Sequence, residues 1–475
     1  MKKLGICIPY RNRKEHIEKL IPKLTEYLNN KGIPHKFYVG HQVDDKLFNR
    51  GAMKNIAAHY AFKDGCDYIA WHDVDMVPHD DSCNYEFPED NPIHIATKLS
   101  KYNYGLGYDQ YFGGVVLFSK EQVEKTNGYS NDYWDWGQED DDLFWRCYYE
   151  GYTTGKIFKE YKNRIVANFN GETSILASET TREISKSLIG DHTISVLFKA
   201  EQQHDKHPIW LVGDTERRFV EYPLVRKDKS WTWGLSFNNS RAVTMVCFDK
   251  DSRHYYNWAK RFENLWTWFT VSYNSETRQQ YLYLNDELIA NIDGLKQNIP
   301  FQIDNDLKKH DPLGVFLFGH CNHQNMYYKG KISEIKIYDK FFKDGNKIFD
   351  ESENENLKLH YEFTRGMVEL TQDLGCDNKD VTFTQEDINV IENILPYRRE
   401  GVFDCLFHVD EGYVNGQWAK GETTARNEKR FVTEMQQQKI NYKEEGYNKI
   451  SELTEIEIID ESLYPNTMFI NTKMK

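Results

Sequence analysis

The stretch Tyr133-Trp-Asp-Trp-Gly-Gln-Glu-Asp-Asp-Asp-Leu-Phe-Trp-Arg146 places four consecutive acids between a tryptophan-rich segment and an apolar one. Residues 143–149 fit a helix, and acids are common in a first helical turn because the free N–H groups there stabilise negative charge. Trp134, Trp136 and Gly137 favour a second interpretation, since an aromatic face beside a carboxylate is typical of sites that stack a sugar and deprotonate its hydroxyl. The stretch therefore predicts a helix start that is either an acidic cap or the reactive edge of a sugar site.

The composition of the 475-residue chain excludes several classes of protein. Its length predicts two or three domains, and a net charge of −14 without a basic, aromatic-rich patch argues against a nucleic-acid binder. The first residues are too short an apolar run for a signal peptide, and no apolar stretch is long enough to span a membrane. The eight cysteines lack disulfide or Cys-x-x-Cys spacing. We therefore expect a soluble cytoplasmic chain in a reducing compartment, of bacterial or viral origin.

Strands and helices alternate in the first part of the chain. Apolar runs predict strands at residues 4–9, 36–40 and 67–71, and apolar periodicity predicts helices from Glu15 and over residues 50–62. Such alternation is typical of a parallel α/β sheet. In that class, ligands bind beyond the carboxyl ends of the strands.

Charged residues follow these predicted strands and are expected to converge on one crevice. Asp73 and Asp75 alternate in an extended segment, so both carboxylates can face the same way and suit Mg²⁺ or Mn²⁺ together with a diphosphate. Arg11, Arg13 and Arg50 could hold phosphate or uracil through their planar guanidinium groups. The alternative is a solvated turn with ordinary surface charges.

The character of the chain changes after Gly151. Short runs with a period of two, separated by turn residues, predict an all-β sandwich between roughly residues 165 and 365. The region after Leu395 changes again: its pattern predicts a strand ending at His408, a polar helix at 427–438 and a terminal strand at 455–459.

Three separated blocks of motifs occur in a fixed order along the chain. They are Pro9 to Arg13 with Phe48-Asn49-Arg50; His72 to Asp75, Tyr111 to Gly114 and Asn127 to Asp142; and His408 with Asn427 to Phe431 and Glu445 to Asn448. Together these blocks resemble glycosyltransferase family 7, the β-1,4-galactosyltransferase group, over about residues 1–165 and 395–470. The segments 84–89 and 444–450 are most similar to the branch that galactosylates xylose in proteoglycan linkers.

The resemblance implies a GT-A fold and an inverting, metal-dependent transfer of galactose from UDP-galactose to a saccharide hydroxyl, with a β-1,4 linkage and a xyloside or other glycan as acceptor. It implies Mn²⁺ ligands at Asp75 and His408, and Asp140 as the general base. The implied donor-binding residues are Pro9, Arg11, Arg13, Phe48, Arg50, Asp73, Val74, Tyr111, Gly114, Trp136 and Glu139. The implied acceptor-binding residues are Tyr111, Trp136, Gly137, Asp140 and Asp141. Tyr111 is similar to the family position where Tyr favours galactose over N-acetylgalactosamine.

The sequence departs from the family pattern in two places. Cys405 stands where some members have a Met three residues before the metal His, so it is an additional candidate ligand that would favour softer ions than Mn²⁺, unless the ligand set is smaller. A β-sandwich at 165–394 interrupts the transferase, which is expected at 1–164 and 395–475. That insert resembles a laminin-G or concanavalin-like jelly roll, on the segments 169–171 and 330–338.

Three alternatives stay open on the sequence alone. The donor could be UDP-N-acetylgalactosamine or another UDP-sugar. The chain could instead be a non-catalytic carbohydrate-binding protein on a degenerate transferase scaffold. A glycoside hydrolase could use two of the carboxylates, although that class leaves the arginines and the metal set unexplained.

Overall fold

The computed structural model describes residues 2–170, 191–200, 265–292, 329–362, 382–407, 422–435 and 440–475, and the backbone of ten short strands in the intervening segments. The chain forms two compact units. One combines residues 1–155 with 393–475, and the other consists of residues 156–392.

The first unit is built on a seven-stranded mixed sheet. Its four central strands are parallel, and the strands at both edges are antiparallel to their neighbours. The labelled strands are β1 (Leu4–Tyr10), β2 (His35–Gln42), β3 (Tyr68–His72), β4 (Met76–Pro78), β5 (Ile93–His94), β6 (Lys98–Leu99), β7 (Val115–Ser119), β8 (Val402–Cys405), β9 (Thr454–Asp460) and β10 (Thr467–Met474). The sheet order is β9-β10-β2-β1-β3-β7-β5. The predicted α/β class with a parallel centre is confirmed.

The helices of this unit are α1 (Lys14–Asn30), α2 (Arg50–Lys63), α3 (Lys120–Thr126), α4 (Glu139–Tyr149), α5 (Glu422–Arg430) and α6 (Ile450–Leu453), with short 3-10 turns at Ser100–Tyr102, Tyr442–Glu444 and Tyr447–Lys449. Helix α1 buries one apolar face at 3–4 residue spacing, from Ile17 to Leu28, against the core that contains Leu4, Ile6 and Ile8. The predicted helix at 427–438 starts earlier, at Glu422, and continues as a π-helical turn over Phe431–Met435.

Helix α2 lies unusually close to the sheet. The side chain of Asn49 caps its start by accepting a hydrogen bond from the Ala52 N–H at 2.9 Å. A Cβ at Gly40 would lie 2.2 Å from the Met53 carbonyl oxygen, so β2 can take only glycine there. Every residue of the helix from Gly51 to Ala58 is buried. Residues 51–58 therefore have no solvent-facing side, and a charged residue among them must find its partners inside the protein.

A small second sheet ties the C-terminal part of the chain to the first part. Strand β8 runs antiparallel to β4 and parallel to β6, and Cys405 pairs with Met76. The sequence from Leu395 onward therefore returns to the end of β3, where the predicted crevice lies.

The second unit is built mainly from two β-sheets. The first sheet contains His192–Ala200, Lys329–Tyr338, Lys156–Asn170, Thr382–Glu392, Trp266–Asn274, Gln279–Leu284 and Glu287–Ile292 in that order, with Leu357–Tyr361 beside Lys329–Tyr338. The second contains Ser252–Arg253, Ala242–Asp249, Thr232–Asn238, His207–Gly213, Val315–Phe318 and Ile175–Ala177. Short paired strands lie at His320–Cys321 with Met326–Tyr327, and 3-10 turns at Gly345–Phe349 and Glu351–Asn356.

The described core of this unit includes Val166, Leu197, Trp268, Ile388 and Val390. The unit spans 156–392, whereas the sequence places the insert at 165–394. The difference arises because Lys156–Asn170 is one long strand whose first residues already pair with the end of Thr382–Glu392. Polar residues at 159–164 hide the beginning of this strand from a search for apolar alternation.

Candidate active site

The four acids at the start of α4 have four different surroundings. Glu139 forms an ion pair with Arg50 at 2.5 Å. The Tyr129 hydroxyl donates to Asp140 at 3.0 Å, and the Tyr108 hydroxyl donates to Asp141 at 2.7 Å. Asp142 is fully buried, where it accepts hydrogen bonds from Arg146 Nε at 2.6 Å and from the Tyr133 hydroxyl at 3.0 Å. The acidic run is therefore more than a helix cap, because each carboxylate has its own partner.

The chain enters α4 through a strained turn. Asp135, Gly137 and Gln138 all have positive φ angles, of 65°, 103° and 75°. Asn427 on α5 fixes this turn, since its buried amide donates to the carbonyl oxygens of Trp134 at 2.7 Å and Trp136 at 3.2 Å. The turn presents the first carboxylates of α4, and α5 holds the backbone that aims them.

Helix α2 faces these acids with two cations. Arg50 and Lys54 are one helical turn apart, so they lie on the same side of the helix. Lys54 Nζ lies 3.4 Å from Asp140 Oδ1 and 3.0 Å from Asp73 Oδ1. The sequence predicted Arg50 but not Lys54, which the structure places at the centre of the site.

Asp73 follows β3 and lies on the same cation pair. Burial alone would raise the pKa of Asp73, but the charges of Lys54 and Arg50 outweigh burial and hold that pKa below its ordinary value. The neighbouring His72 uses both ring nitrogens, with the Asp73 carbonyl oxygen and the Tyr85 hydroxyl, each at 2.9 Å. Burial lowers the pKa of His72 to about 4, so this imidazole is neutral and serves the fold.

Asp140 has the opposite shift. Burial raises its pKa most, and Glu139 and Asp73 raise it further, while Lys54 and Arg50 lower it; the result is a pKa of about 7. A carboxylate with a pKa near neutrality is well matched to accept a proton from a hydroxyl in the transition state. The structure thus gives the predicted base a suitable environment.

A glycine pair leaves room beside this carboxylate. A Cβ at Gly113 would lie 2.4 Å from Asp140 Oδ2 and 3.0 Å from the Tyr111 hydroxyl. Gly114 has a φ of 79°, a backbone conformation that L side chains rarely adopt. His94 holds the glycine pair in place by donating from Nε2 to the Gly113 carbonyl oxygen at 2.9 Å. Burial lowers the pKa of His94 to about 3, so this imidazole is neutral. Tyr111, Gly113 and Asp140 therefore meet at one point.

The other predicted donor residues lie near the ends of β1 and β2. Arg11 stacks on Phe48, 5.1 Å from the ring centre, and donates to the Lys46 carbonyl oxygen at 2.5 Å. The Phe48 carbonyl oxygen accepts from the Asp135 N–H at 2.7 Å, which connects this loop to the turn before α4. Arg13 is the residue immediately before α1, and Pro9 is buried in β1 opposite Gly40.

The predicted metal ligands can be described only in part. Asp75 follows β3, and its carbonyl oxygen accepts from the Leu406 N–H at 2.8 Å. The Phe407 carbonyl oxygen lies 3.3 Å from His16 Nε2 on α1. His408 itself lies outside the described residues. The chain that leads to His408 therefore runs past Asp75, as a shared metal site requires.

Cys405 sits in the same segment with its own contacts. Its N–H donates to the Ser100 hydroxyl at 2.8 Å, and its thiol lies 3.7 Å from the Met76 sulfur. Val74, also predicted to contact the donor, is buried in the core. The Asp75 carboxylate suits Mn²⁺, whereas a thiol at Cys405 favours a softer divalent ion, so the described residues fit a first-row divalent metal better than Mn²⁺ specifically.

A carboxylate–histidine group in the second unit has a different character. Glu334, His360 and Glu362 lie close enough together to bind a metal, and this is the one such group among the residues that the structure describes. However, Arg164 and Lys336 also pair with these acids, at 3.3–3.7 Å. The cations already balance the charge, so the group is an ion-pair network within the sheet.

The comparisons with known proteins agree with the geometry of the first unit. Residues 1–88 match the model of the N-terminal region of glycosyl transferase group 7. Residues 93–167 match the model named N-terminal domain of galactosyltransferase. Residues 1–88 and 93–167 therefore match two models of this glycosyltransferase group. The recognition made from the sequence is confirmed for this region.

Two curated relatives of the family 7 region illustrate the similarity. The chain is 39% identical over 190 residues to β-1,4-galactosyltransferase 5 of Sus scrofa, covering 38% of this chain and 49% of the relative. It is 41% identical over 147 residues to β-1,4-galactosyltransferase 7 of Drosophila melanogaster, covering 30% and 44%. The chain thus spans about half of the length of these relatives, or less.

One solved structure is also similar in sequence to part of this chain. A mutant of the Drosophila β-1,4-galactosyltransferase 7, in complex with manganese, UDP-Gal and xylobiose, shows 38% sequence identity and a TM-score of 0.30. The similarity covers 32% of this chain and 63% of that chain.

The relatives correct one expectation. They are animal proteins, so the expected bacterial or viral cytoplasmic origin is wrong. The absence of a signal-like or membrane-spanning pattern in the sequence was too weak a basis for that inference. Within the described part of the chain, no helix has the length and apolarity that crossing a membrane requires.

Proposed function

We propose that the protein transfers galactose from UDP-galactose to a hydroxyl of a saccharide acceptor, with a β-1,4 linkage, and that Asp140 is the general base. The observation that carries this proposal is the environment of Asp140, whose pKa is about 7 where Tyr129 and Lys54 hold it in a largely buried position beside two glycines. The β-1,4-galactosyltransferases of pig and fly, to which the chain is similar, support the reaction class.

In the proposed reaction, Asp140 accepts the proton of the acceptor hydroxyl as that oxygen attacks the anomeric carbon, and UDP leaves from the opposite face. The hydroxyl can approach the carboxylate where Gly113 has no side chain. A positioned base of matched pKa contributes roughly 10²–10⁴-fold to the rate. Single displacement from the α-linked donor inverts the anomeric centre.

The donor would lie between the α2 cations and the turn before α4. Arg50 orients Glu139 through their ion pair, so that Glu139 can accept a hydrogen bond from a galactose hydroxyl. Arg11 on Phe48, with Arg13, would hold the uridine diphosphate. Tyr111, Trp136 and the remaining predicted residues keep the roles that the family resemblance gives them.

Asp75 and His408 would hold a divalent cation, with Cys405 as an additional ligand. Such an ion would neutralise the charge that develops on the leaving diphosphate. We infer that residues 1–155 and 393–475 are a GT-A catalytic domain, and that residues 156–392 are an inserted laminin-G or concanavalin-like jelly roll. A xyloside is the first acceptor to test.

A donor screen tests the proposal. UDP release is measured from UDP-galactose, UDP-glucose and UDP-N-acetylgalactosamine, with a xyloside or a glucosaminide acceptor, with and without Mn²⁺. Acceptor-dependent release from UDP-galactose that needs the metal is expected. Asp140→Asn should reduce it roughly 10²–10⁴-fold, whereas Asp81→Asn, at a carboxylate with 90% of its side chain exposed, should not.

Two results would contradict the proposal. Carbohydrate binding without turnover for any donor would favour a non-catalytic scaffold. Near-normal turnover of Asp140→Asn would show that another group is the base.

A further inference from the structure

Lys54 is a charged residue in the interior of the protein, and the family resemblance gives it no role. Its side chain is completely buried in α2. A buried ammonium group is costly unless it is paired and hydrogen-bonded, and breaking such a pair leaves an uncompensated charge. A lysine at this position therefore needs a reason that surface lysines do not.

The contacts of Lys54 all point into the candidate site. Nζ lies 3.0 Å from Asp73 Oδ1 and 3.4 Å from Asp140 Oδ1. It also donates to the Tyr129 hydroxyl oxygen at 3.1 Å and lies 4.6 Å from the centre of that ring. The same hydroxyl donates onward to Asp140 at 3.0 Å. Lys54 thus reaches Asp140 twice, directly and through Tyr129.

The backbone around Lys54 is fixed as firmly as its ammonium group. Its carbonyl oxygen accepts from Trp71 Nε1 at 3.0 Å, which fastens this turn of α2 to β3. The Trp71 ring packs against Tyr129 at 4.9 Å. The lysine, the aromatic pair and the two carboxylates therefore form one rigid group.

We propose that Lys54 is a positioning residue for the general base: its ammonium group holds Asp140 and Asp73 side by side and keeps Asp140 ionised. This inference rests on the proposed function of Asp140. Two carboxylates that approach one cation from different elements would otherwise repel each other, and one of them would take up a proton.

The charges around Asp140 allow the sign of the effect to be worked out. Two cations of α2 face it, together with two other acids and two phenols: Arg50, Lys54, Asp73, Glu139, Tyr111 and Tyr129. Burial and the two acids raise the pKa of Asp140, and Lys54 lowers that pKa more than Arg50 does. Burial would lower the pKa of Lys54, but Asp140 and Asp73 outweigh it, so Lys54 is charged throughout the working range.

Removal of the charge on Lys54 is therefore expected to move the midpoint of the rise of kcat with pH to higher pH. Lys54→Met keeps most of the length of the side chain without its charge, and the loss of an opposite charge at this distance raises a carboxyl pKa by at least about one unit. The ionised fraction at pH 7 would fall from about one half to about one tenth, a loss of about fivefold that is regained near pH 9. Lys54→Arg should retain a profile close to that of the wild type. Lys63→Met, at the exposed end of the same helix, is the matched control and should change nothing.

A purely structural role for Lys54 gives a different result. Lys54→Met would then reduce the amount of folded enzyme by the same factor at every pH, and the pH profile of kcat would keep its midpoint. That outcome would overturn the proposal, and so would a Lys54→Arg profile displaced as far as that of Lys54→Met.

A second measurement needs neither activity nor a folded variant at position 54. In wild-type protein labelled with ¹³C at Asp Cγ and ¹⁵N at Lys Nζ, the Asp140 carboxyl is assigned by its loss in Asp140→Asn. The chemical shift of one slowly exchanging lysine Nζ signal, from a lysine that stays charged, is expected to change with the same midpoint as the titration of Asp140. A lysine signal that does not respond to the titration of Asp140 would refute the coupling. If the wild type transfers no galactose but the lysine signal follows the Asp140 titration, only the proposed function fails.

Discussion

A rise in turnover of about tenfold is expected between pH 6 and pH 8, because Asp140 must be ionised before it can accept a proton. Its pKa of about 7 arises from burial, opposed by Lys54 and raised further by Glu139 and Asp73. With that value, about one tenth of the carboxyl is ionised at pH 6 and about nine tenths at pH 8. An unperturbed aspartate, with its pKa near 3.8, would be ionised throughout this range.

The assay is kcat at saturating UDP-galactose and acceptor, measured from about pH 5.5 to about pH 8.5. Protonation of His408 could also lower kcat at acid pH, and repeating the series at higher Mn²⁺ distinguishes the two groups. Metal binding competes with the proton on His408, so a loss of kcat caused by His408 would move to lower pH. The pH midpoint that arises from Asp140 should not change with the Mn²⁺ concentration. A flat profile over this range, or a midpoint near pH 4, would refute the reasoning.

Three further changes test separate parts of the structure. Asp75→Ala should abolish Mn²⁺-dependent binding of UDP in calorimetry, and unchanged binding would exclude Asp75 as a metal ligand. Gly113→Ala should reduce kcat about 10²-fold with an unchanged circular dichroism spectrum, because its Cβ would lie 2.4 Å from Asp140 Oδ2 and displace it; wild-type turnover would show that this contact is unimportant. Arg146→Met leaves Asp142 buried without its cation and should cost the unit about 3–5 kcal/mol in urea unfolding. An unchanged urea midpoint would contradict that role.

The fold of the first unit follows from local patterns. The apolar run at β1 and the 3–4 residue spacing of α1 are dictated by burial of one strand and one helix face, so both were predictable within a few residues. The start of the inserted unit was not, because the first half of Lys156–Asn170 is polar and gains its strand structure from its partner Thr382–Glu392.

The site shows the same division between local and distant information. Asp140, Glu139 and Arg50 were predictable because they lie in motifs. Lys54 was not predicted, since a lysine in a helix is almost always exposed. A signal was nevertheless present: residues 51–58 lack the polar face that a surface helix needs, so a lysine among them must be buried.

Long-range pairing left no comparable trace in the sequence. Arg146 pairs with Glu445 at 2.9 Å across almost 300 residues. That contact fixes the helix that carries the acids, yet no local sequence pattern predicts the contact. Sequence reasoning therefore indicates the groups that we propose to react, while the groups that hold them depend on the folded chain.

The configuration of the product tests the central claim most directly. UDP-galactose and a xyloside are incubated with the enzyme and Mn²⁺, and the new anomeric proton is recorded by NMR. A β-linked galactoside, formed by the wild type and lost with Asp140→Asn or with EDTA, is the expected result. An α-linked product, or release of free galactose without a new linkage, would contradict a single displacement assisted by Asp140.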